Sequence, residues 1–160
     1  MHQTLRTRIQ QTRAFGSPEQ EAVLGIRMVA ARLLAPWEKF LEAEAGLTSP
    51  QYNVLRILRG SHPNKLTCGA IGERTIARGS DVTRLVDRLH ERGLVKRSRS
   101  EVDRRVVEVS IAEKGLHLLH TLDPHAQRMP RALIGHIGKG KLRELAQLMA
   151  EVLDGMGSFP

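Results

Sequence analysis

The stretch LTCGAIGERTIARGSDVTRLVDRLHERGLVKRSRSEVDRRVVEVSIA, residues 66–112, decides the fold of this chain of 160 residues. Two short helical patterns in it run directly into a basic hairpin. The second helical pattern is the clearer one, because apolar residues recur at i, i+3, i+4 and i+7 and so make one helix face apolar. These residues are Val82, Leu85, Val86 and Leu89. Two helices and a hairpin in this order predict a winged helix-turn-helix, a shape suited to duplex DNA.

The ends of both helices follow from capping residues. Ser80 can accept hydrogen bonds from the first-turn N–H groups, and Gly93 can adopt the left-handed conformation that ends a helix. We therefore predict a helix over residues 81–92. Thr67 is the predicted N-cap of the preceding helix, over residues 68–75, and a short turn joins the two.

The hairpin is predicted from strand-like composition on either side of a polar tip. Residues 94–99 and 105–111 form the two expected strands, and Val107, Val109 and Ile111 share one face of the second. A hairpin of this size cannot bury a core of its own. It must therefore lie beside the second helix.

The charge of the chain is concentrated in the same region. The whole chain has 25 basic and 17 acidic residues, a net charge of +8. Residues 59–105 hold 12 basic and 6 acidic residues, hence +6. A basic surface attracts polyphosphate through counterion release without any sequence preference, so base choice must come from side chains in a groove. These features predict double-stranded DNA as the partner.

Several short motifs occur together between residues 47 and 115. They are LTSPQYNVLRIL at 47–58, IGER at 71–74, DVTRLVDRLHERGLV at 81–95, Asp-Arg-Arg at 103–105 and EKG at 113–115. With this set the chain resembles the MarR family of bacterial transcriptional regulators. Each motif alone is weak, but the combination is specific. The resemblance implies a homodimeric winged-helix regulator that binds a pseudo-palindromic operator, most often as a repressor relieved by a small molecule.

The resemblance also implies roles for individual residues. It assigns residues 81–92 to the major groove, and in the wing it implies that Asp103 pairs with Arg105 and aims an arginine at the minor groove. The alternative is a surface ion pair that only closes the hairpin. The predicted DNA-binding residues are Thr67, Ser80, Asp81, Thr83, Arg84, Arg88, Lys96, Arg97, Arg99, Asp103, Arg104 and Arg105.

Within this set we expect two kinds of contact. Arg84 should read base edges, whereas Lys96, Arg97 and Arg99 should mostly touch phosphates. Asp81 stands where many relatives carry Ser or Thr. It could accept from a cytosine amino group, or it could favour the helix N-terminus and orient Arg84. We favour the second role, because an acid near phosphates is penalised unless a partner neutralises it.

The remainder of the chain divides into predicted segments. Residues 1–16 form a flexible basic arm, 17–46 an N-terminal dimerisation helix, 47–112 the DNA-binding region and 113–160 the C-terminal dimerisation helices. The terminal helices carry more apolar surface than a small DNA-binding region can cover, so they are the expected dimer interface. An intrachain bundle is the alternative. The predicted fold class is mainly α with a small β-wing, a winged helix-turn-helix with terminal dimerisation helices.

Proline and glycine set the expected helix ends outside the DNA-binding region. Ser17, Pro18 and Gln20 predict an N-cap with a capping box, and Pro36 should kink or divide the helix that follows. The next helix begins at residue 48 or 49. Near the C-terminus we predict helices over 113–122 and 140–154, with the prolines and glycines between them as breakers.

Three aromatic residues mark a candidate effector site. Trp37, Phe40 and Tyr52 are the large aromatic residues near the junction between the long helix and the helix-turn-helix. At helical spacing such residues are more often core than pocket. We therefore carry both interpretations.

The sequence offers weak signals for redox or metal chemistry. Cys68, the one cysteine, cannot form an intrachain disulfide. A helix start can make a thiol more reactive, which allows redox sensing, but this is only one of the features a sensor needs, so packing or no special role is the better explanation. His117 and His120 lie three residues apart with Glu113 and Asp123 nearby, which is a weak zinc pattern that solvated surface residues also give. We expect no metal.

Other function classes lack support. There is no Gly-rich phosphate loop, nucleophile elbow or HExxH motif, so we expect neither an enzyme nor a cofactor. No signal-peptide pattern or 18-residue apolar run occurs, so we expect a cytoplasmic protein without a membrane partner. The alternative function is a winged-helix module that binds other proteins without specific DNA binding.

Overall fold

The chain folds into seven α-helices and three short strands over the residues that the computed structural model describes, 4–76, 81–100, 103 and 105–156. The elements in order are α1 (Leu5–Arg8), α2 (Pro18–Ala45), α3 (Ser49–Ser61), β1 (Leu66–Thr67), α4 (Cys68–Arg74), α5 (Val82–Glu91), β2 (Val95–Arg99), β3 (Val107–Ile111), α6 (Glu113–Ile134), a 3₁₀ turn (Gly135–Ile137) and α7 (Lys139–Gly155). This mainly helical architecture with a small antiparallel sheet confirms the predicted fold class. Among the helices of the described segments, none combines the length and the apolar character needed to cross a membrane.

The long helix α2 begins at its predicted cap. Ser17 Oγ accepts from the backbone N–H of Gln20 at 3.4 Å. The side chain of Gln20 accepts from the N–H of Gly16 at 3.1 Å, one residue before the N-cap, so the second bond of the predicted capping box has a different donor. Pro36 lies inside α2 and does not divide it. The helix ends at Gly46, whose φ of 55° is the left-handed conformation.

Helix α3 begins at one of its two predicted starts, with Thr48 as the N-cap of a complete capping box. Thr48 Oγ1 accepts from the N–H of Gln51 at 3.4 Å, and Gln51 Oε1 accepts from the N–H of Thr48 at 3.0 Å. One face of the helix is buried, and it includes Tyr52, Leu55 and Leu58. This face is the centre of the core, because α3 packs against α2, α4, α5, α6 and β3.

The core draws one or more fully buried side chains from almost every element around α3. They include Leu41 of α2, Leu55 of α3, Ile71 of α4, Leu89 of α5, Val109 of β3 and Leu119 of α6. Burying one such side chain contributes about 1.5–3 kcal/mol. The helix-turn-helix, the hairpin and the first half of α6 therefore share one core.

The sheet places β3 between β1 and β2, with both pairings antiparallel. Val109 faces Leu66 on one side and Arg97 on the other. The β2–β3 hairpin confirms the predicted strands, and Val109 and Ile111 are buried on one face as their alternation predicts. Strand β1 was not predicted, because two residues are too few to show a period of two.

Two predictions about the terminal segments are wrong. Helix α6 continues through Pro124 and Pro130. Each proline removes one N–H donor without unwinding the other turns, and beyond Pro124 the helix still packs on α2 through the ring of His125, which stacks on that of Phe40. The arm was predicted to lack fixed structure, but α1 forms within it. Thr4 Oγ1 caps α1, and the Leu5 side chain lies against Gly25 of α2.

The terminal helices leave apolar side chains exposed within this chain. No residue of α7 is buried, and Leu148 and Leu153 are 50% and 69% exposed. In the N-terminal half of α2, Val23 and Val29 are also about half exposed, at 55% and 49%. Such faces need a partner surface to be covered.

Gly115 allows the closest backbone approach in the core. A Cβ atom added there would lie 2.3 Å from the carbonyl oxygen of Leu94 and 2.9 Å from Cγ1 of Ile111, and the backbone atom cannot move aside cheaply. We expect Gly115→Ala to lower the free energy of unfolding by about 3 kcal/mol, measured by urea denaturation. The matched control is Gly60→Ala on α3, where a Cβ meets open space and stability should rise by about 0.5–1 kcal/mol. Equal effects of the two variants would contradict this packing.

Candidate nucleic-acid interface

The helix-turn-helix consists of α4 and α5. Thr67 Oγ1 accepts from the backbone N–H of Ala70 at 3.1 Å, which confirms Thr67 as the N-cap of α4. The same residue ends β1, so the helix begins where the strand stops. Cys68 follows directly and is half-buried against the core, in agreement with a packing role.

Helix α5, the predicted recognition helix, begins one residue later than its predicted cap implies. Asp81 is the N-cap, and its Oδ1 accepts from the backbone N–H of Arg84 at 3.1 Å. Its Oδ2 lies 3.9 Å from Arg84 Nε. The prediction of Ser80 as the cap is therefore wrong, and Ser80 itself lies outside the described residues. The contacts of Asp81 fit the second of its two predicted roles, a helix-terminal carboxylate beside Arg84.

The two faces of α5 differ as the sequence predicts. Val82, Val86 and Leu89 are buried in the core. Thr83, Arg84 and Arg88 are exposed on the opposite face. Because the apolar face fixes the helix against α3 and α4, the cationic face is presented to solvent.

The β2–β3 hairpin, the predicted wing, is joined to α5 by an ion pair that the sequence did not predict. Arg97 Nη1 of β2 donates to Oδ1 of Asp87 on α5. Ten residues separate the two, so no local spacing indicates the pair, and only the packing of β2 along α5 brings them together. Arg97 is thus partly neutralised, whereas Lys96 and Arg99 on the same strand are exposed without an ion pair to another described residue.

At the wing tip, the predicted side-chain pair of Asp103 and Arg105 is wrong. Asp103 Oδ1 accepts from the backbone N–H of Arg105 at 2.9 Å, and no ion pair joins their side chains in the described part of the wing. A short carboxylate reaches an N–H two residues ahead more easily than a guanidinium on a long stem. Asp103 therefore shapes the turn, while Arg105 remains exposed. Arg104 lies outside the described residues.

A pocket of about 600 Å³ lies where α2, α3 and α5 meet, at the predicted effector site. Trp37 and Tyr52 line it, with ring centroids 4.9 Å apart in an edge-on arrangement. Phe40 does not line it. Its ring stacks on that of His125, with centroids 3.6 Å apart, and on that of Trp37 at 5.5 Å. The interpretation of Phe40 as a core residue is the better one.

The pocket also contains polar groups that a ligand could use. Ser49 Oγ is buried and has no hydrogen-bond partner among the described residues. Arg56 lines the pocket; its Nη1 donates to the Tyr52 hydroxyl at 3.4 Å, and its guanidinium carbon lies 5.9 Å from the centroid of the Tyr52 ring. Asn53 Oδ1 accepts from the backbone N–H of Ile76 at 3.0 Å, just beyond α4. The pocket is therefore connected to the helix-turn-helix.

The histidine pattern on α6 does not form a metal site. Within the described residues, no group of three or more His, Cys, Asp or Glu side chains is arranged to hold a metal ion. Asp123 instead accepts two hydrogen bonds from the guanidinium of Arg59, at 2.8 and 3.0 Å. This bidentate pair links α3 to α6 and was not predicted.

Comparison with known proteins agrees with this geometry. A family model described as the MarR family matches residues 45–106. The crystal structure of a MarR transcription factor from Planctomyces limnophilus is 39% identical and covers 86% of this chain and 98% of its own, with a TM-score of 0.64. That of Sco3205, a MarR family transcriptional regulator from Streptomyces coelicolor in complex with DNA, is 22% identical and covers 91% and 96%, with a TM-score of 0.79.

One further relative is a transcriptional repressor. The transcriptional repressor MprA of Escherichia coli is 27% identical over 128 residues, which is 77% of this chain and 69% of MprA. All three relatives regulate transcription, and this confirms the expectation that the chain is not an enzyme.

Proposed function

Because this chain belongs to the MarR family of DNA-binding transcriptional regulators, we propose that it represses transcription as a homodimer bound to a pseudo-palindromic operator. The observation that carries the proposal is the exposed polar face of α5, with Thr83, Arg84 and Arg88, beside the cationic strand β2. A capped helix flanked by a basic wing matches the shape of a major groove and the phosphates beside it. Repression is favoured by the likeness to MprA.

The proposed contacts divide between bases and backbone. Arg84 and Arg88 on α5 can donate to guanine edges in the major groove, and Thr83 can contact either strand. Lys96 and Arg99 on β2 contact phosphates, while Arg105 at the wing tip enters the minor groove. Thr67, Asp81, Arg97 and Asp103 act mainly by shaping the elements, since each has a hydrogen bond or ion pair within the protein.

The proposed dimer covers the apolar faces of the terminal segments, residues 17–46 and 113–160. Val23 and Val29 of α2 and Leu148 and Leu153 of α7 are exposed within this chain and would be buried by a second copy. A two-fold axis through these helices relates two α5 helices, and each dimer then meets two half-sites about one helical turn apart. Residues 47–112 form the DNA-binding region in this arrangement.

The proposed effector is a small aromatic anion that binds in the 600 Å³ pocket. Trp37 and Tyr52 provide aromatic walls, Arg56 provides a cation, and the buried Ser49 hydroxyl provides a hydrogen bond that no described protein group uses. Leu85 of α5 also lines the pocket, so a bound ligand would touch the recognition helix. Binding there would relieve repression by changing the position of α5.

The first test of this function separates base readout from phosphate contact. DNA fragments selected by the protein from a random pool serve as specific sites, and a scrambled fragment as the non-specific one. Arg84→Ala should weaken specific binding by about 1–3 kcal/mol and lower the specific-to-nonspecific ratio. Lys96→Ala should weaken specific and non-specific binding alike. It should also reduce by about one the salt slope, which is the slope of the logarithm of the binding constant against the logarithm of the salt concentration. Arg128→Ala on α6 is the matched control, because it also removes one exposed cation but lies outside residues 47–112, and it should leave both affinities and the salt slope unchanged. Failure to select any fragment would favour a protein-binding module instead.

The dimer is tested by placing a charge on the exposed face of α7. Leu148→Glu would bury an unpaired carboxylate in an apolar interface, so light scattering should report a monomer at micromolar concentration where the wild type is a dimer. Gln147→Glu adds the same charge one residue earlier at another exposed position, and this variant should remain dimeric. A wild-type protein that is monomeric at micromolar concentration would contradict the proposal.

The effector site is tested by ligand binding to the free protein. Trp37 is the only tryptophan in the chain, so its fluorescence reports directly on the pocket. Benzoate should change this fluorescence and should bind about tenfold more weakly to Arg56→Gln, the equivalent of one charge-assisted hydrogen bond of about 1.4 kcal/mol. The affinity for uncharged benzamide should not change in Arg56→Gln. The control Arg128→Gln on α6 should leave the affinities for both ligands unchanged. An equal loss of affinity for benzoate and for benzamide in Arg56→Gln would contradict an anion site.

A further inference from the structure

The C-terminal ends of α2 and α5 meet at one junction. Each helix is followed by a glycine in the left-handed conformation, Gly46 with φ 55° after α2 and Gly93 with φ 69° shortly after α5. The last carbonyl groups of a helix lack partners within the helix and carry a partial negative charge. Two such ends placed together repel each other unless cations or donors lie between them.

Arg92 supplies donors to the end of α2. It is the C-cap of α5, and its Nη1 donates to the carbonyl of Gly46 at 2.8 Å while its Nη2 donates to that of Ala45 at 2.6 Å. Lys114, at the start of α6, in turn donates to the carbonyl of Arg92 at 2.9 Å. The end of α5 is thus bonded on one side to α2 and on the other to α6.

The planar guanidinium gives this contact a direction as well as a charge. Two N–H groups held in one plane reach two carbonyls at once, so the bond resists rotation of α5 about the end of α2. A lysine ammonium in the same place would act as a single charge on a flexible stem. Ala45 is buried, so its carbonyl is held in place by the core.

Helix α2 runs from Pro18 to Ala45, so its C-terminal end lies at this junction and its N-terminal end is far from it. Its 28 residues span about 42 Å at 1.5 Å per residue. The exposed Val23 and Val29 lie in its N-terminal half, on the face proposed to contact the second copy. Arg92 is therefore a direct polar link between α5 and the helix that carries this face, and it adds to the packing of α5 on the core.

We propose that Arg92 is a positioning residue for DNA binding, which sets the distance between the two recognition helices and thereby the half-site spacing that the dimer accepts. The inference rests on the proposed homodimer and adds to it a residue whose bonds in the protein are to carbonyl groups of α2. One base pair changes the separation of the half-sites by about 3.4 Å and also rotates them about the DNA axis. A looser junction should therefore tolerate spacings that a rigid one rejects.

The experiment measures binding to selected operators whose central spacer is shortened or lengthened by one base pair. The wild type should prefer one spacing by about tenfold over its neighbours. Arg92→Ala should reduce that preference to about twofold while remaining a dimer by light scattering, and Arg92→Lys should lie between the two. Arg74→Ala is the matched control, because it also removes one guanidinium of the helix-turn-helix. That guanidinium donates to Ser61 Oγ at 3.0 Å. The control should keep the wild-type spacing preference.

The outcomes distinguish this inference from the proposed function. If Arg92→Ala weakens DNA binding equally at every spacing, Arg92 contributes only charge or stability. This result overturns the inference about Arg92 and leaves the proposed function standing. A wild-type protein with no spacing preference overturns the proposed two-site binding and the inference with it. If Arg92→Ala does not fold, Arg92→Lys decides, since a preference equal to that of the wild type would overturn the inference.

Discussion

Burial of the apolar face of α3 is the constraint on which the rest of this structure depends. Tyr52, Leu55 and Leu58 on that face form the centre of the core, and α2, α4, α5, α6 and β3 are arranged around them. With α5 held there by Val86 and Leu89, its opposite face must be exposed. The cationic surface of the DNA-binding region is therefore a consequence of hydrophobic burial, and charge alone does not orient the helix.

A small number of polar contacts join neighbouring elements in addition to their packing in the core. Arg97 with Asp87 ties the hairpin to α5, Arg59 with Asp123 ties α3 to α6, and Arg92 ties α5 to the end of α2. Each lies at the edge of the core and is partly exposed, so its contribution to stability is modest. Their main effect is geometric, since hydrogen bonds between planar groups fix angles that apolar packing tolerates over a range.

The sequence predicted much of the fold because the signals were local. The start of α3 at residue 48 or 49, the cap at Thr67, the apolar stripe of α5 and the alternation in β3 each depend on neighbours a few residues away. It failed where a local rule was outweighed. Pro124 and Pro130 did not end α6, because each removes only one N–H donor and the helix packs on its neighbours on both sides of Pro124, through Leu122 and His125. Ser80 was not the cap, because Asp81 is next to it and accepts the bond.

By itself, the sequence determined the order of the helix-turn-helix and the hairpin, the buried and exposed faces of α5 and the family that these motifs indicate, because each is encoded in residue type at short spacing. Only the tertiary structure decided which charges are paired, which aromatic residues line the pocket and which residue joins α5 to the end of α2. Arg92 and Gly46, for example, are 46 residues apart. Trp37 and Phe40 are both aromatic and lie on the same helix, yet Trp37 lines the pocket whereas Phe40 stacks on His125. The reason is that a pairing between distant residues is set by how whole elements pack, and no periodicity within one element records it.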